Sequence, residues 1–233
     1  MEEKVQQAEV NREFGRAVIF ANGTYENEDR DGFYRGLLAP DDFIICADGG
    51  SEIAEALGLV PQIIIGDFDS TGPEILESWR QKGVKILTYP AKKDKTDTEL
   101  AADYALDLGF KRIIFLGALG GRIDHALANI TLLMSLAIRQ IDVTIIDKHS
   151  RIRAIAPDYG GPDTLVLEGK PGDLLSLIPM TPQVKGVTTD GLAYPLHDAV
   201  LSFGSSLGVS NVFTSQSATI RVTSGLMLAI ASF

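Results

Sequence analysis

The chain has 233 residues, 45% of them hydrophobic and 22% charged, which excludes a disordered or collagen-like polymer and leaves room for one large domain or two small ones. Its formal charge of −10 argues against a nucleic-acid binder and means that a polyanionic substrate must arrive with a cation. A single cysteine, Cys46, rules out an intramolecular disulfide framework and fits a reducing compartment.

Residues 1–15 read as a polar arm without the apolar run of a signal peptide. The longest apolar stretch, 225–233, is too short to span a bilayer, so the expectation is a cytoplasmic protein with no membrane contact. From 16 to 148, short β-branched runs alternate with longer helical ones. Strands are expected at 17–21, 43–47, 62–65, 85–87, 112–116 and 142–146, as continuous apolar runs of the kind covered on both faces. Helices are expected at 51–57, 73–82, 96–108 and 122–139, with Pro73 at a first helical position and Gly83 and Gly109 as stops. Alternation of this kind implies parallel pairing. After 148 the pattern changes to short strands at 151–156, 164–168, 174–178, 184–189, 199–203, 218–223 and 226–231, parted by clusters such as Gly160-Gly161-Pro162. The predicted fold is a parallel-sheet α/β domain over 16–148, followed by an antiparallel β-sandwich domain over 149–233.

Three acidic clusters carry the chemistry. Gly66-Asp67-Phe68-Asp69-Ser70 follows a strand directly, and residues two apart in extended chain point the same way. Asp67 and Asp69 can therefore face one cation while Phe68 turns into the core, at the strand end where open α/β sheets bind ligands. The same residues also read as a polar turn, with Ser70 or Thr71 capping the next helix. In Lys92-Lys93-Asp94-Lys95-Thr96-Asp97-Thr98-Glu99, Thr96 and Glu99 have the spacing of a capping box, and Asp97 falls in the first turn. That leaves Asp94 and the lysines, which suit a magnesium carboxylate beside groups for phosphate oxygens. Gly117-Ala118-Leu119-Gly120-Gly121-Arg122-Ile123-Asp124-His125 joins a strand to a long helix. Its glycines let backbone amides approach a phosphate, and Arg122 can clasp one. The spacing is neither a Walker A motif nor the dinucleotide fingerprint, and a surface turn with Arg122 paired to Asp124 is the structural alternative. Asp48-Gly49-Gly50 and Asn22-Gly23 follow strands in the same manner. His125 reads as a structural or solvent-facing side chain, Cys46 as inert core and Trp79 as packing. Together these loops predict a magnesium-dependent enzyme acting on a nucleotide phosphate.

With those motifs assembled, the chain resembles the thiamine pyrophosphokinase (thiamine diphosphokinase) family from about residue 17 to the C-terminus. The likeness rests on Ala47–Gly50, Gly66–Ser70, Lys93–Leu100 and Gly120–His125, and on Gly191-Leu192-Ala193-Tyr194-Pro195-Leu196 and Ser205-Ser206-Leu207-Gly208-Val209-Ser210-Asn211 in the β-rich half. The resemblance implies transfer of the pyrophosphoryl group of ATP to the hydroxyl of thiamine, giving thiamine diphosphate and AMP, in a homodimer with sites at the subunit interface. It implies magnesium on Asp67, Asp69 and Asp97, which with Arg122 form the catalytic set. It implies an ATP pocket of Asn22, Asp48, Gly49, Gly50, Asp94, Thr96, Arg122 and Asp124, and thiamine contacts from Tyr194, Ser210 and Asn211. Some members carry Trp where this chain has Tyr194, and Phe213 stands where a polar or acidic residue is common. A tyrosine still suits the cationic thiazolium ring through stacking and cation–π attraction. Two other readings compete: a D-x-D nucleotide-sugar transferase, and a non-catalytic nucleotide- or thiamine-sensing module.

Overall fold

The computed structural model describes residues 15–25, 30–68 and 73–233. The chain forms two compact units, Met1–Ile130 and Thr131–Phe233. In the first, β1 (Arg16–Phe20), α1 (Arg30–Gly36), β2 (Asp42–Ala47), α2 (Gly50–Ala56), β3 (Ile63–Gly66), α3 (Pro73–Gln81), β4 (Lys85–Thr88), α4 (Asp97–Asp107) and β5 (Arg112–Leu116) alternate as the sequence predicts. All five strands are parallel, in the order β4-β3-β2-β1-β5. The β-branched runs of β2 and β3 are buried throughout, because helices cover both faces of a parallel sheet. The chain steps outward from β1 to β4 and then returns to the other side of β1, so the order reverses between β1 and β5. Ligands of open α/β sheets bind at such a reversal, beyond the carboxyl ends of the strands.

The two ends of this sheet are neutralised differently. At the amino end, Arg16 Nε and Nη2 donate to the buried carboxylate of Asp42 at 2.6 and 3.0 Å, and Nη2 also donates to Leu37 O at 2.6 Å. That fork ties the starts of β1 and β2 together and raises the guanidinium pKa through its bond to Asp42. At the carboxyl end, β2 runs into Asp48 with φ 47°, and the segment after β3 turns at Phe68 with φ 56°. Both are left-handed conformations that a non-glycine residue adopts only when its surroundings compel it. The Asp48 N–H donates to Ile65 O at 2.8 Å. The Phe68 ring is buried as predicted, but β3 ends at Gly66 and the chain at Phe68 is left-handed and not extended, so the two-residue alternation expected there does not apply.

The long helix α5 (Ile123–Ile138) follows β5, and the division between the units falls within it. The second unit holds β6 (Asp142–Ile146), β7 (Ser150–Ile155), β8 (Thr164–Glu168), β9 (Leu174–Pro179), β10 (Gln183–Asp190), β11 (Ala199–Ser202), β12 (Asn211–Val212), β13 (Ser217–Arg221) and β14 (Met227–Ser232). One layer runs β6-β7-β14-β9-β12 and the other β11-β10-β13-β8, with antiparallel pairing in both. Ile155, Leu175, Leu177, Met227 and Ala229 from the first layer share one core with Leu165, Leu167, Val184, Leu201 and Ile220 from the second. The alternating burial of β8 and β13 is that of strands with one face inward and one outward. The architecture is α/β with a C-terminal antiparallel β-sandwich.

Besides the 3-10 turn at Pro157–Tyr159, two elements differ from expectation. The segment of α1 carries two glycines in seven residues and has little helical propensity of its own. It is held by contacts: Tyr34 is buried edge-on against Tyr25 at 5.0 Å between ring centroids, and Arg35 donates to Leu57 O. The two-residue β12 is too short to carry a periodicity. Cys46 is buried, and burial pushes its thiol pKa up, which leaves it inert. Trp79 is buried as packing. Among the described residues no helix is long and apolar enough to cross a membrane.

Candidate active site

A cleft of about 420 Å³ opens at the carboxyl end of the first unit's sheet, where the strand order reverses. Its walls come from the loops after β1 (Asn22, Gly23), β2 (Asp48) and β5 (Gly117, Ala118, Gly120, Gly121, Arg122). The start of α4 (Thr96, Asp97, Thr98) and the first turns of α5 (His125, Asn129) complete them. Five of the predicted residues therefore converge: Asn22, Asp48, Thr96, Asp97 and Arg122.

Each is placed by local chemistry. Thr96 is the N-cap of α4, with its hydroxyl accepting from the Glu99 N–H at 3.2 Å, which fixes Asp97 in the first turn. Asn22 Nδ2 donates to Asp48 Oδ2 at 3.1 Å. The loops after β1 and β5 pack backbone to backbone: the Thr24 N–H donates to Leu119 O at 3.0 Å, and a Cβ on Gly23 would lie 2.1 Å from Gly117 O. Only glycine allows that approach. Gly50 is confined in the same way, since a Cβ there would meet Phe20 O at 2.1 Å. Gly49 and Gly50 thus shape the start of α2, and neither is among the residues lining the cleft.

The electrostatics are those of a crowded anionic site. Burial, then the charges of Asp97 and Asp67, push the Asp48 carboxyl above its ordinary range. Its Oδ1 is buried and accepts no hydrogen bond from any described residue. Lys93 Nζ donates to Asp67 Oδ2 at 3.2 Å and lies 2.8 Å from Asp97 Oδ1, an ion-pair contact outside the angle of a hydrogen bond. Burial draws the Lys93 ammonium pKa down, but Asp97 and Asp67 outweigh it and the net shift is upward. Asp67 and Asp97 therefore converge on one nitrogen. Asp69 lies outside the described residues. Among the described residues no three His, Cys, Asp or Glu side chains are disposed to grip an ion. The donor chemistry nevertheless fits magnesium: hard carboxylate oxygens, two of them converging and a third, on Asp48, without a hydrogen bond from any described residue.

Arg122 forks onto Asp124, Nη2 to Oδ2 at 2.6 Å and Nε to Oδ1 at 3.2 Å, with both side chains exposed. That pairing first, and then the His125 N–H, lowers the Asp124 pKa to about 2. Asp94 is exposed and does not line the cleft. In the second unit Tyr194 is 69% exposed, and Ser210 is exposed with φ 58°. Asn211 is buried, and its amide is committed to backbone. Oδ1 accepts from the Tyr194 and Val212 N–H groups at 3.0 and 2.9 Å, while Nδ2 donates to Tyr194 O at 2.7 Å. Its geometry is that of a residue holding Tyr194.

Sequence reasoning missed Asn129 and set His125 aside, yet both line the cleft one turn apart on α5. Asn129 is buried, and its Nδ2 donates to Ala118 O at 2.8 Å, steadying the glycine loop. Its signal was present: an amide four residues past a histidine, on the same face of an apolar helix.

Residues 34–145 match the profile of the thiamin pyrophosphokinase catalytic domain, and residues 164–227 match that of the thiamin pyrophosphokinase vitamin B1 binding domain. A thiamine pyrophosphokinase of Bacillus subtilis (strain 168) is 32% identical over 188 residues, covering 81% of this chain and 86% of that protein. The chain belongs to the thiamine pyrophosphokinase family. Among solved structures of the family, the Bacillus subtilis enzyme superposes with a TM-score of 0.81 at 26% identity, over 93% of this chain and 98% of the other. That of Geobacillus thermodenitrificans superposes with a TM-score of 0.78 at 28% identity, over 93% and 97%. Membership of this family sets aside the nucleotide-sugar transferase reading.

Proposed function

We propose that this chain is a thiamine pyrophosphokinase, which moves the pyrophosphoryl group of ATP onto the hydroxyl of thiamine to give thiamine diphosphate and AMP. One observation carries the reading beyond family membership. A single cleft has carboxylates with an orphaned oxygen on one wall and a glycine loop ending in Arg122 at a helix N-terminus on the other. Such a cleft suits a nucleotide phosphate bound with a divalent cation.

In this reading the oxygen of the thiamine hydroxyl forms a bond to the β-phosphorus and its proton is released to solvent. The bond from that phosphorus to the oxygen bridging the α-phosphate breaks, and the electron pair leaves with AMP. Transfer between phosphoryl oxygens is dominated by positioning and charge neutralisation, so the residues' task is to orient and to screen. Asp67, Asp69 and Asp97 would hold magnesium, which supplies positive charge to the phosphate oxygens when bound. Asn22, Asp48 and Thr96 line the nucleotide pocket, Gly49 and Gly50 shape it from behind, and Asp124 holds Arg122 beside it, while Asp94 lies outside it. Arg122 exchanges its Asp124 partner for phosphate oxygens, an exchange kept inexpensive by the exposure of that pair. Tyr194 and Ser210 meet thiamine, and Asn211 acts by holding Tyr194. The enzyme is a cytoplasmic homodimer with its sites at the subunit interface. Two features support an interface beside the cleft: Ile123 and Leu127, one turn apart at the start of α5, are 78% and 57% exposed.

The test incubates purified protein with ATP, magnesium and thiamine and identifies the products. AMP with thiamine diphosphate is expected. ADP with thiamine monophosphate would refute single-step transfer, and binding without turnover would favour the sensing module.

A further inference from the structure

Lys93 is the one lysine of its cluster turned inward. Lys92 is exposed, and Lys95 is occupied on the outer face of α4 with Asp103 at 2.6 Å and Glu99 at 3.5 Å. The Lys93 side chain is only 13% exposed, and its ammonium lies between Asp67 and Asp97. It reaches Asp97 from four residues upstream, across the Thr96 cap that fixes the carboxylate in place. The ammonium brings one positive charge to a site where three carboxylates influence one another, and Asp48 Oδ1 is left without a hydrogen bond from any described residue.

We propose that Lys93 is the built-in counter-cation of this site, seated between Asp67 and Asp97 until a divalent ion displaces it. The inference rests on the magnesium chemistry proposed above. A lysine is suited to such a seat because its compact, strongly hydrated charge rides on a flexible four-carbon stem and can withdraw without unfolding anything. The carboxylates need a positive charge near them in the empty enzyme, since like charges this close disfavour one another's ionisation. A divalent ion brings twice the charge and competes for the same oxygens. On leaving, the ammonium becomes a donor for a phosphate oxygen of the nucleotide that arrives with the ion. Loading then exchanges one cation for another and leaves no carboxylate bare.

Competition between two cations for one set of ligands is a linkage, and removing one must tighten the other. The experiment titrates magnesium chloride alone, without nucleotide or thiamine, into the wild type and into Lys93→Met by calorimetry. Lys93→Met should bind magnesium about tenfold more tightly, a coupling within the usual range. Magnesium should also raise its melting temperature more than that of the wild type. Lys93→Arg keeps the charge and should keep the wild-type magnesium affinity. Should Lys93→Met fail to fold, Lys93→Gln supplies the same loss of charge with a polar head. Unchanged or weaker magnesium affinity in the uncharged variant, equal tightening in Lys93→Arg, or no measurable magnesium binding by either protein would each overturn the proposal. Product analysis on the wild type separates the two levels. Thiamine diphosphate formed by a protein whose magnesium affinity ignores Lys93 sinks this inference alone, whereas absence of AMP sinks the functional reading.

Discussion

Asp42 and Asp48 bracket the same strand and meet opposite fates. Asp42 is clamped by Arg16, which satisfies both its oxygens; Asp48 keeps one buried oxygen that no described residue hydrogen-bonds, and a raised pKa. A carboxyl whose native pKa lies above its unfolded value stabilises the fold while it is protonated, below about pH 4. That contribution is lost as the pH climbs through the raised value, so Asp48 works against stability near neutrality. Asp48→Asn should therefore lose less stability than the wild type between pH 4 and pH 7 in magnesium-free buffer. The difference should stay below about 1 kcal/mol, because the carboxylate is only partly buried. Urea midpoints at the two pH values measure it, and parallel losses in both proteins would contradict it. At this scale the sequence was legible for residue type and position: Asp48, Thr96 and Arg122 were singled out as strand-end and helix-start residues, and they line one cleft. The Arg122–Asp124 pair, two residues apart, was legible and is made, whereas the partner of Arg16 was not, because Arg16 and Asp42 meet through strand pairing that no local pattern encodes. The same holds for Lys93, whose partner Asp67 comes from another strand end.

Among the elements, α4 gives the cleanest agreement between local code and structure. The Thr96 and Glu99 spacing predicts a capping box, and its N-cap half is made at 3.2 Å, while the Glu99 carboxylate lies 3.5 Å from Lys95. Thr96→Ala should cost about 1 kcal/mol of stability by urea unfolding, the usual loss for an N-cap hydroxyl. Because the cap also orients Asp97, turnover should fall more than that stability loss explains while the protein remains folded. A variant as active as the wild type would mean that Asp97 is fixed by other contacts. Strands β2, β3 and β5 were legible because burial on both faces leaves an unbroken apolar run. Helix α1 was not, because its support comes from Tyr25 and Leu57, distant in sequence, and not from its own residues. The contacts that place Tyr194 were illegible for a related reason: β12 has only two residues, and the hydrogen bonds to the Tyr194 main chain are made by the Asn211 side chain.

For the molecule as a whole, composition excludes more than it specifies. A charge of −10 spread over 233 residues turns away nucleic acid, yet the proposed substrate is itself an anion. In the proposed function the cleft reconciles the two by combining carboxylates whose oxygens suit a divalent ion with a glycine loop and Arg122 that can receive phosphate. The strand–helix alternation and the later change to short strands let both architectures be read before any coordinates. Assembly was not readable in that way, since it depends on which surface stays uncovered. Light scattering on the purified protein should give twice the 25.1 kDa chain mass. Leu127→Glu at the exposed start of α5 should shift it to the single-chain mass. A wild type that already scatters as a single chain would remove the shared-site assembly from the proposal.

Asn211 commits both ends of its side-chain amide to the main chain of Tyr194, so the tyrosine backbone is anchored while its side chain faces water. The entropy of fixing that stretch of chain was surrendered when the protein folded. An aromatic guest settling on the ring has only side-chain rotation left to quieten, so more of its stacking energy survives as affinity.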